Sequence, residues 1–176
     1  MPQLIITAIG PDRPGIVGEL TGHLHGRGAN LLDSRMVNLR GQFAILVLLE
    51  APQNIIASLA SDLSAAGREM GLTLTVAPQG ASPQPSPEGL HYSLKTYSLD
   101  QPGIVAKLTG VLRGHGVNIE ELSAWQESAA FAGSPLFLTE MRLTVPAIVP
   151  VRQLRADLES LCNQLNCDVD LEPAEK

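Results

Sequence analysis

Two short stretches of this 176-residue chain place the same chemistry twice. Asp12, Pro14 and Gly15 stand where one helix is expected to begin, and Asp100, Pro102 and Gly103 where another does. The first N–H groups of a helix lack intrahelical partners and carry the positive end of its dipole, so an amino-acid carboxylate is held there without a basic side chain. Gly15 and Gly103 permit close approach, because a side chain there would stand between ligand and amides. Asp12 and Asp100 offer a carboxylate to a ligand ammonium, while Asn30 and Asn118 offer both an acceptor and a donor. Each of these residues also has a plain structural use: Asp caps or turns, Asn turns left-handed after Gly, and Pro-Gly punctuates.

Other chemistries are poorly served. Cys162 and Cys167 have no Cys or His cluster beside them, which suits neither a disulfide framework nor a zinc site and predicts small apolar fillers in a helix and the next strand. On a helix His23 and His25 point about 200° apart, so they cannot share a metal; His91 and His115 read as surface residues. Glu120 and Glu121 are neighbours on a strand and face opposite ways, so they are no catalytic dyad. No nucleophile constellation and no phosphate-binding loop appears. The expectation is a protein without catalytic residues, metal or cofactor. Its 12 Lys+Arg against 18 Asp+Glu and formal net charge of -6 disfavour direct nucleic-acid binding, and 3% aromatic residues disfavour an RNA-stacking sheet. With no membrane span or secretory leader in view, the expected address is the cytoplasm.

The elements that must position these residues follow from an internal repeat. Asp12-Arg-Pro-Gly-Ile-Val-Gly-Glu-Leu-Thr-Gly-His-Leu-His-Gly-Arg-Gly-Ala-Asn30 returns as Asp100-Gln-Pro-Gly-Ile-Val-Ala-Lys-Leu-Thr-Gly-Val-Leu-Arg-Gly-His-Gly-Val-Asn118, with 12 of 19 residues identical. The chain therefore reads as two copies of one domain, 1–76 and 90–176, joined by a Pro/Gly/Ser-rich linker over 77–89. In each copy an apolar strand (4–9, 92–99) precedes a helix whose stripe is Val17, Leu20, Leu24 or Val105, Leu108, Leu112. Pro14 and Pro102 suit a helix start, and Gly28 and Gly116 a left-handed stop. A second strand begins near Asn30 and Asn118, and Arg40-Gly41-Gln42 turns the first copy into its third strand, 43–50. The second copy has a looser connection, 127–135, before 136–145. A second helix (53–70, 151–165) and a short strand (73–76, 168–171) close each copy. The order is βαββαβ twice: an α+β protein of two ferredoxin-like units, each an antiparallel four-stranded sheet with both helices on one face. Ala44, Leu46 and Leu48 make the other face of the first copy's third strand apolar too, so the other repeat or a second chain should cover it. Glu140, Arg142 and Thr144 suit the second copy's face to water.

Asp-x-Pro-Gly-Ile-Val, the Leu-rich helix, Gly-x-Asn and the βαββαβ order resemble the ACT domain, a regulatory module that binds amino acids or other small effectors. The tandem pair, with Ile6-Thr-Ala-Ile-Gly-Pro-Asp-Arg-Pro-Gly-Ile-Val, Leu32-Asp-Ser-Arg-Met and Leu161-Cys-Asn-Gln-Leu-Asn, is similar to the glycine cleavage system transcriptional repressor group. That resemblance implies a regulator acting through a protein partner such as a DNA-binding transcription factor, with glycine as signal. It also implies homodimers or intrachain ACT pairing, and an effector site at the loop after the first strand, often completed by the second strand of a neighbouring unit. Carried onto this chain, the site is Asp12, Arg13, Pro14, Gly15, Ile16 and Asn30 in one copy and Asp100, Gln101, Pro102, Gly103, Ile104 and Asn118 in the other. Arg13 against Gln101 exchanges a fixed charge for a neutral amide, so the two sites need not take one ligand. The alternative is a ligand-free assembly module.

Overall fold

The computed structural model describes residues 1–78, 88–128 and 135–174. They form two compact units, Met1–Gln84 and Pro85–Lys176. The first runs β1 (Gln3–Pro11), α1 (Ile16–Gly26), β2 (Asn30–Leu39), β3 (Gln42–Glu50), α2 (Gln53–Met70) and β4 (Thr73–Pro78). The second runs β5 (Leu90–Leu99), α3 (Ile104–Gly114), β6 (Asn118–Ser128), β7 (Pro135–Val145), α4 (Val151–Leu165) and β8 (Cys167–Pro173). The sheets are ordered β2-β3-β1-β4 and β6-β7-β5-β8, with every pairing antiparallel. This is the α+β, twice-βαββαβ architecture read from the repeat. Ala77 and Pro78 continue β4 instead of starting a linker, and residues 79–87 of that expected linker lie outside the described ones. So do 129–134 of the expected loose connection, which β6 enters as strand as far as Ser128.

Local chemistry sets the ends of the elements. Gly28, at φ 79°, closes α1 while the amide of Ala29 donates to Leu24 O at 3.2 Å; Gly116, at φ 68°, repeats this with Val117 and Leu112 at 3.0 Å. Arg40 (φ 51°) and Gly41 (φ 83°) give the paired positive dihedrals of the tight hairpin joining β2 to β3. Left-handed Gly71 and Asn166 end α2 and α4. One feature had no sequence signal: a β-bulge shifts the register between Leu31 and Asp33 and, at the corresponding place in the second unit, between Ile119 and Glu121. Simple alternation therefore fails at Glu120.

Each unit has its own core. In the first, Phe43, Ile45, Val47 and Leu49 of β3 pack with Leu4 and Ile6 of β1 under Ile16, Leu20 and Leu24 of α1 and Leu59 and Leu63 of α2. The helix stripe is thus Ile16-Leu20-Leu24, a strict i, i+4, i+8 row, and Val17 is turned outward at 38% exposure. In the second unit Ile104, Leu108 and Leu112 of α3 do the same, with Leu154, Leu158 and Cys162 of α4. Where β1 and β3 pair Ala8 with Ile45, β5 and β7 pair Thr96 with Thr139. Both threonines are 1% exposed and share a 2.7 Å hydrogen bond. Thr139→Val alone should strand the Thr96 hydroxyl and cost about 1–3 kcal/mol, whereas Thr96→Ala with Thr139→Ile installs the first unit's pair and should recover most of that loss. Urea unfolding of the full cycle reads the coupling directly.

The sheet faces turned away from the helices differ between the units. On the first, register places Ile5 and Ile9 of β1, Ala44, Leu46 and Leu48 of β3 and Val37 of β2 side by side. On the second, Lys95 pairs with Glu140 at 3.1 Å and Arg142 with Glu121 at 3.6 Å, and Asp168, Asp170 and Glu172 of β8 line the same side. Among the described residues no helix is long and apolar enough to cross a membrane.

Candidate functional site

The Asp-x-Pro-Gly segment is a tight turn before it is a helix start. The Ile16 amide donates to Arg13 O at 3.3 Å, with Pro14 and Gly15 at the corners and Gly15 at φ 90°, ψ -10°. These are the dihedrals of a type II turn, which favours Pro at its first corner and requires positive φ at its second. Gly103 repeats them at φ 89°, ψ 6°. Pro14 and Pro102 are therefore turn corners rather than first helical residues, and the glycines answer to backbone conformation rather than to space. Gly15 O then accepts the Glu19 amide at 2.9 Å and Gly103 O the Lys107 amide at 3.0 Å, starting α1 and α3. Among the described residues no side chain caps either helix, so the first-turn amides keep their affinity for an anion.

The two aspartates are held by residues that the motif did not point to. Asn38 Nδ2, near the end of β2, donates to Asp12 Oδ2, and Gln126 Nε2 of β6 donates to Asp100 Oδ2 at 2.6 Å. Each amide lies 26 residues after its aspartate. Extending the repeat past Asn30 and Asn118 would have aligned Asn38 with Gln126, and that is the signal that finds them. The Asp12 amide in turn donates to Gly41 O at 2.8 Å and the Asp100 amide to Pro135 O at 3.1 Å, so the hairpin end and the turn form one polar clasp in each unit.

Arg13 and Gln101 differ in charge and share a task. Arg13 Nη2 donates to Met70 O at 3.3 Å, and Gln101 Nε2 donates to Leu165 O at 2.7 Å. Met70 and Leu165 are the last residues of α2 and α4. Both side chains thus tie the turn to the C-terminal carbonyls of the second helix, where donors are favoured. Arg13 also forks onto Glu19 at 2.6 and 2.5 Å; the hydrogen bond holds the Glu19 carboxyl below its ordinary range and raises the guanidinium in return.

The remaining expected residues do not converge on the turn. Ile16 and Ile104 are 2% exposed and belong to the cores, so only their backbones border it. Asn30 is paired with Glu50, which also faces Gln3, at the end of β1 opposite to Asp12. The 11 residues of α1 separate the two, roughly 16 Å along a helix. Asn30 instead borders a groove of about 430 Å³ beside Gly18, Thr21, Gly22 and Leu31. Asn118 borders the matching groove of about 720 Å³ beside Ala106, Thr109, Gly110 and Ile119. Within one unit, turn and asparagine are two separate places.

An ACT-domain family model matches residues 2–77, the whole of the first unit's βαββαβ. The first unit is an ACT domain, and the second repeats its βαββαβ order and its strand order. The Escherichia coli glycine cleavage system transcriptional repressor is 29% identical over 163 residues, covering 93% of this chain and 85% of that protein. A solved structure of a Galdieria sulphuraria protein superposes with a TM-score of 0.83 at 29% identity over 99% of both chains. Another, provisionally named a glycine cleavage system transcriptional repressor, superposes at 0.74 with 23% identity over 99% of this chain and 98% of its own.

The rest of each ACT unit is built to hold the turn still. His115 Nε2, just after α3, meets Asp157 Oδ2 of α4 at 2.8 Å and is only 19% exposed, so it is a helix-to-helix tie rather than a free surface residue. Hydrogen bonds from His115 and then Gln153 lower the Asp157 carboxyl below its usual range. Arg27 and Asp62 stand in the same relation at 3.7 Å in the first ACT unit. Cys162 and Cys167 are buried and free, as expected of fillers, and burial pushes the Cys162 thiol up to about 12. Ser98 Oγ is buried with no hydrogen-bond partner among the described residues, two positions before Asp100.

Proposed function

We propose that this tandem ACT protein is a non-enzymatic regulator that binds a small effector, an amino acid such as glycine, at its Asp-x-Pro-Gly turns. Through a DNA-binding protein partner it controls transcription of glycine cleavage or related amino-acid genes. The observation that carries this reading is the duplicated turn: two uncapped helix starts, each beside an aspartate oriented by an amide from the second strand. The amides suit a carboxylate and the aspartate suits an ammonium, the two charges of a free amino acid. The similarity to the Escherichia coli repressor along most of both chains supports the transcriptional part, and the net charge of -6 supports action through a partner. Binding at a hundredfold excess over Kd stabilises the folded state by about 2.7 kcal/mol, enough to shift a partner-binding equilibrium.

A second reading, a ligand-free assembly module, is favoured by one fact. Asp12 and Arg13 already have partners in Asn38, Glu19 and Met70. A thermal-shift and calorimetric screen of the twenty amino acids, with glycine and serine titrated in detail, separates the two. Saturable stabilisation by one amino acid is the expected result; no shift with any of them supports the assembly reading.

A further inference from the structure

We infer that the outer sheet face of the first ACT unit is the surface through which two copies of this chain pair. Ile9 at 55%, Leu46 at 46% and Val37 at 45% exposure lie on one flat face. Its only charges on β2, Asp33 and Arg35, neutralise each other at 2.6 Å. Four strands of this length span on the order of 500 Å² before side-chain relief is counted, within reach of the ~800 Å² per partner of a stable interface.

Charge and shape select the occupant. A face like that of the second unit, with Asp168, Asp170 and Glu172 in excess over its ion pairs, would have its carboxylates stripped of water against Leu46 and Ile9. The first unit's own face carries one carboxylate beyond its ion pair, Glu50 at the end of β3, which accepts from the Asn30 amide at 3.3 Å; the rest of the face is complementary to itself. Leu46 and Arg35 border two hollows, one of about 100 Å³ toward Leu48 and Ile5 and one of about 310 Å³ toward Ala44 and Ile9. A ridge beside a hollow matches its own copy under a two-fold axis, each Leu46 entering the other's larger hollow. The faces then stack as two sheets do, about 10 Å apart. The pairing needs no effector and holds whether or not the turns bind one.

The test is sedimentation equilibrium of the full chain over a range of concentrations, with and without Leu46→Glu. The second unit already carries glutamate at the matching place, since Lys95 faces Glu140 as Thr7 faces Leu46, so the fold accommodates that residue. The expected result is a wild-type dimer whose dissociation constant rises about 100-fold or more in the variant. A monomeric wild type overturns the inference, and so does a dimer indifferent to the substitution. Should Leu46→Glu not fold, Leu46→Cys introduces an exposed thiol beside two buried native ones. Its reaction with a maleimide should slow as protein concentration rises through the dimer range, and a rate independent of concentration also overturns the pairing.

Discussion

Phe43→Ala should remove about 3–5 kcal/mol from the stability of the first ACT unit. Phe43 is fully buried, and the strands on either side of it place Gly10 and Asn38 opposite, neither of which can fill the space its ring leaves. Gly10 cannot be enlarged to compensate, because a Cβ there would stand 2.6 Å from Gly71 O. A loss of this size is a large part of the 5–15 kcal/mol that holds a typical domain together. Calorimetry should show the first unit's transition moved far down while the second unit, with its own core, keeps its wild-type midpoint. Phe43→Leu should cost about 1.5 kcal/mol or less. An Ala variant with both transitions unmoved would show that the ring does not organise this core.

Gly15→Asn should silence the first turn while sparing the fold. A Cβ at Gly15 meets nothing within 4 Å, so space is not what excludes a side chain. The obstacle is φ 90°, which costs an ordinary residue such as alanine roughly 1–2 kcal/mol and asparagine less. Gly15→Ala therefore mixes backbone strain with ligand loss, whereas Asn keeps the turn and puts an amide between the helix amides and any ligand. The expected result is near-wild-type stability without effector and loss of the stabilisation that effector brings to that unit. Gly103→Asn reads the second turn in the same way. Full retention of the shift in both variants would remove the turns from the binding reaction.

How far the fold was legible depends on the distance over which each signal acts. The bounds of α2 and α4 follow from prolines before them and apolar periodicity within them, all local, and the structure reproduces both. The βαββαβ order follows from the repeat. Pro14 was read as a helix start because the same φ serves a helix and a turn corner; only the positive φ of the next residue separates the two. Ile16 displaced Val17 from the buried stripe because the turn fixes the helix's rotation. The asparagines mark the sharper limit. A helix crossing returns the chain to the end of the sheet where β1 began, so Asn30 had to start β2 far from Asp12, and the residue that comes back to the turn is the one near the end of β2, Asn38. That much could be reasoned from topology. The bulge and the shared reach of Arg13 and Gln101 could not, since both depend on contacts between elements far apart in sequence.

The Arg13–Met70 bond and the close fit of Gly10 to Gly71 make the first turn one arm of a lever whose other arm is the corner between α2 and β4. A ligand that shifts the Asp12 turn must break that bond or carry the corner with it. β4 starts just past that corner, at Thr73, so the turn and the strand that closes the first sheet are tied together. In the second unit the Gln101–Leu165 bond ties the turn to the corner before β8 instead. Two nearly identical turns are thereby tied to the closing strands of their own sheets by different side chains, one charged and one neutral.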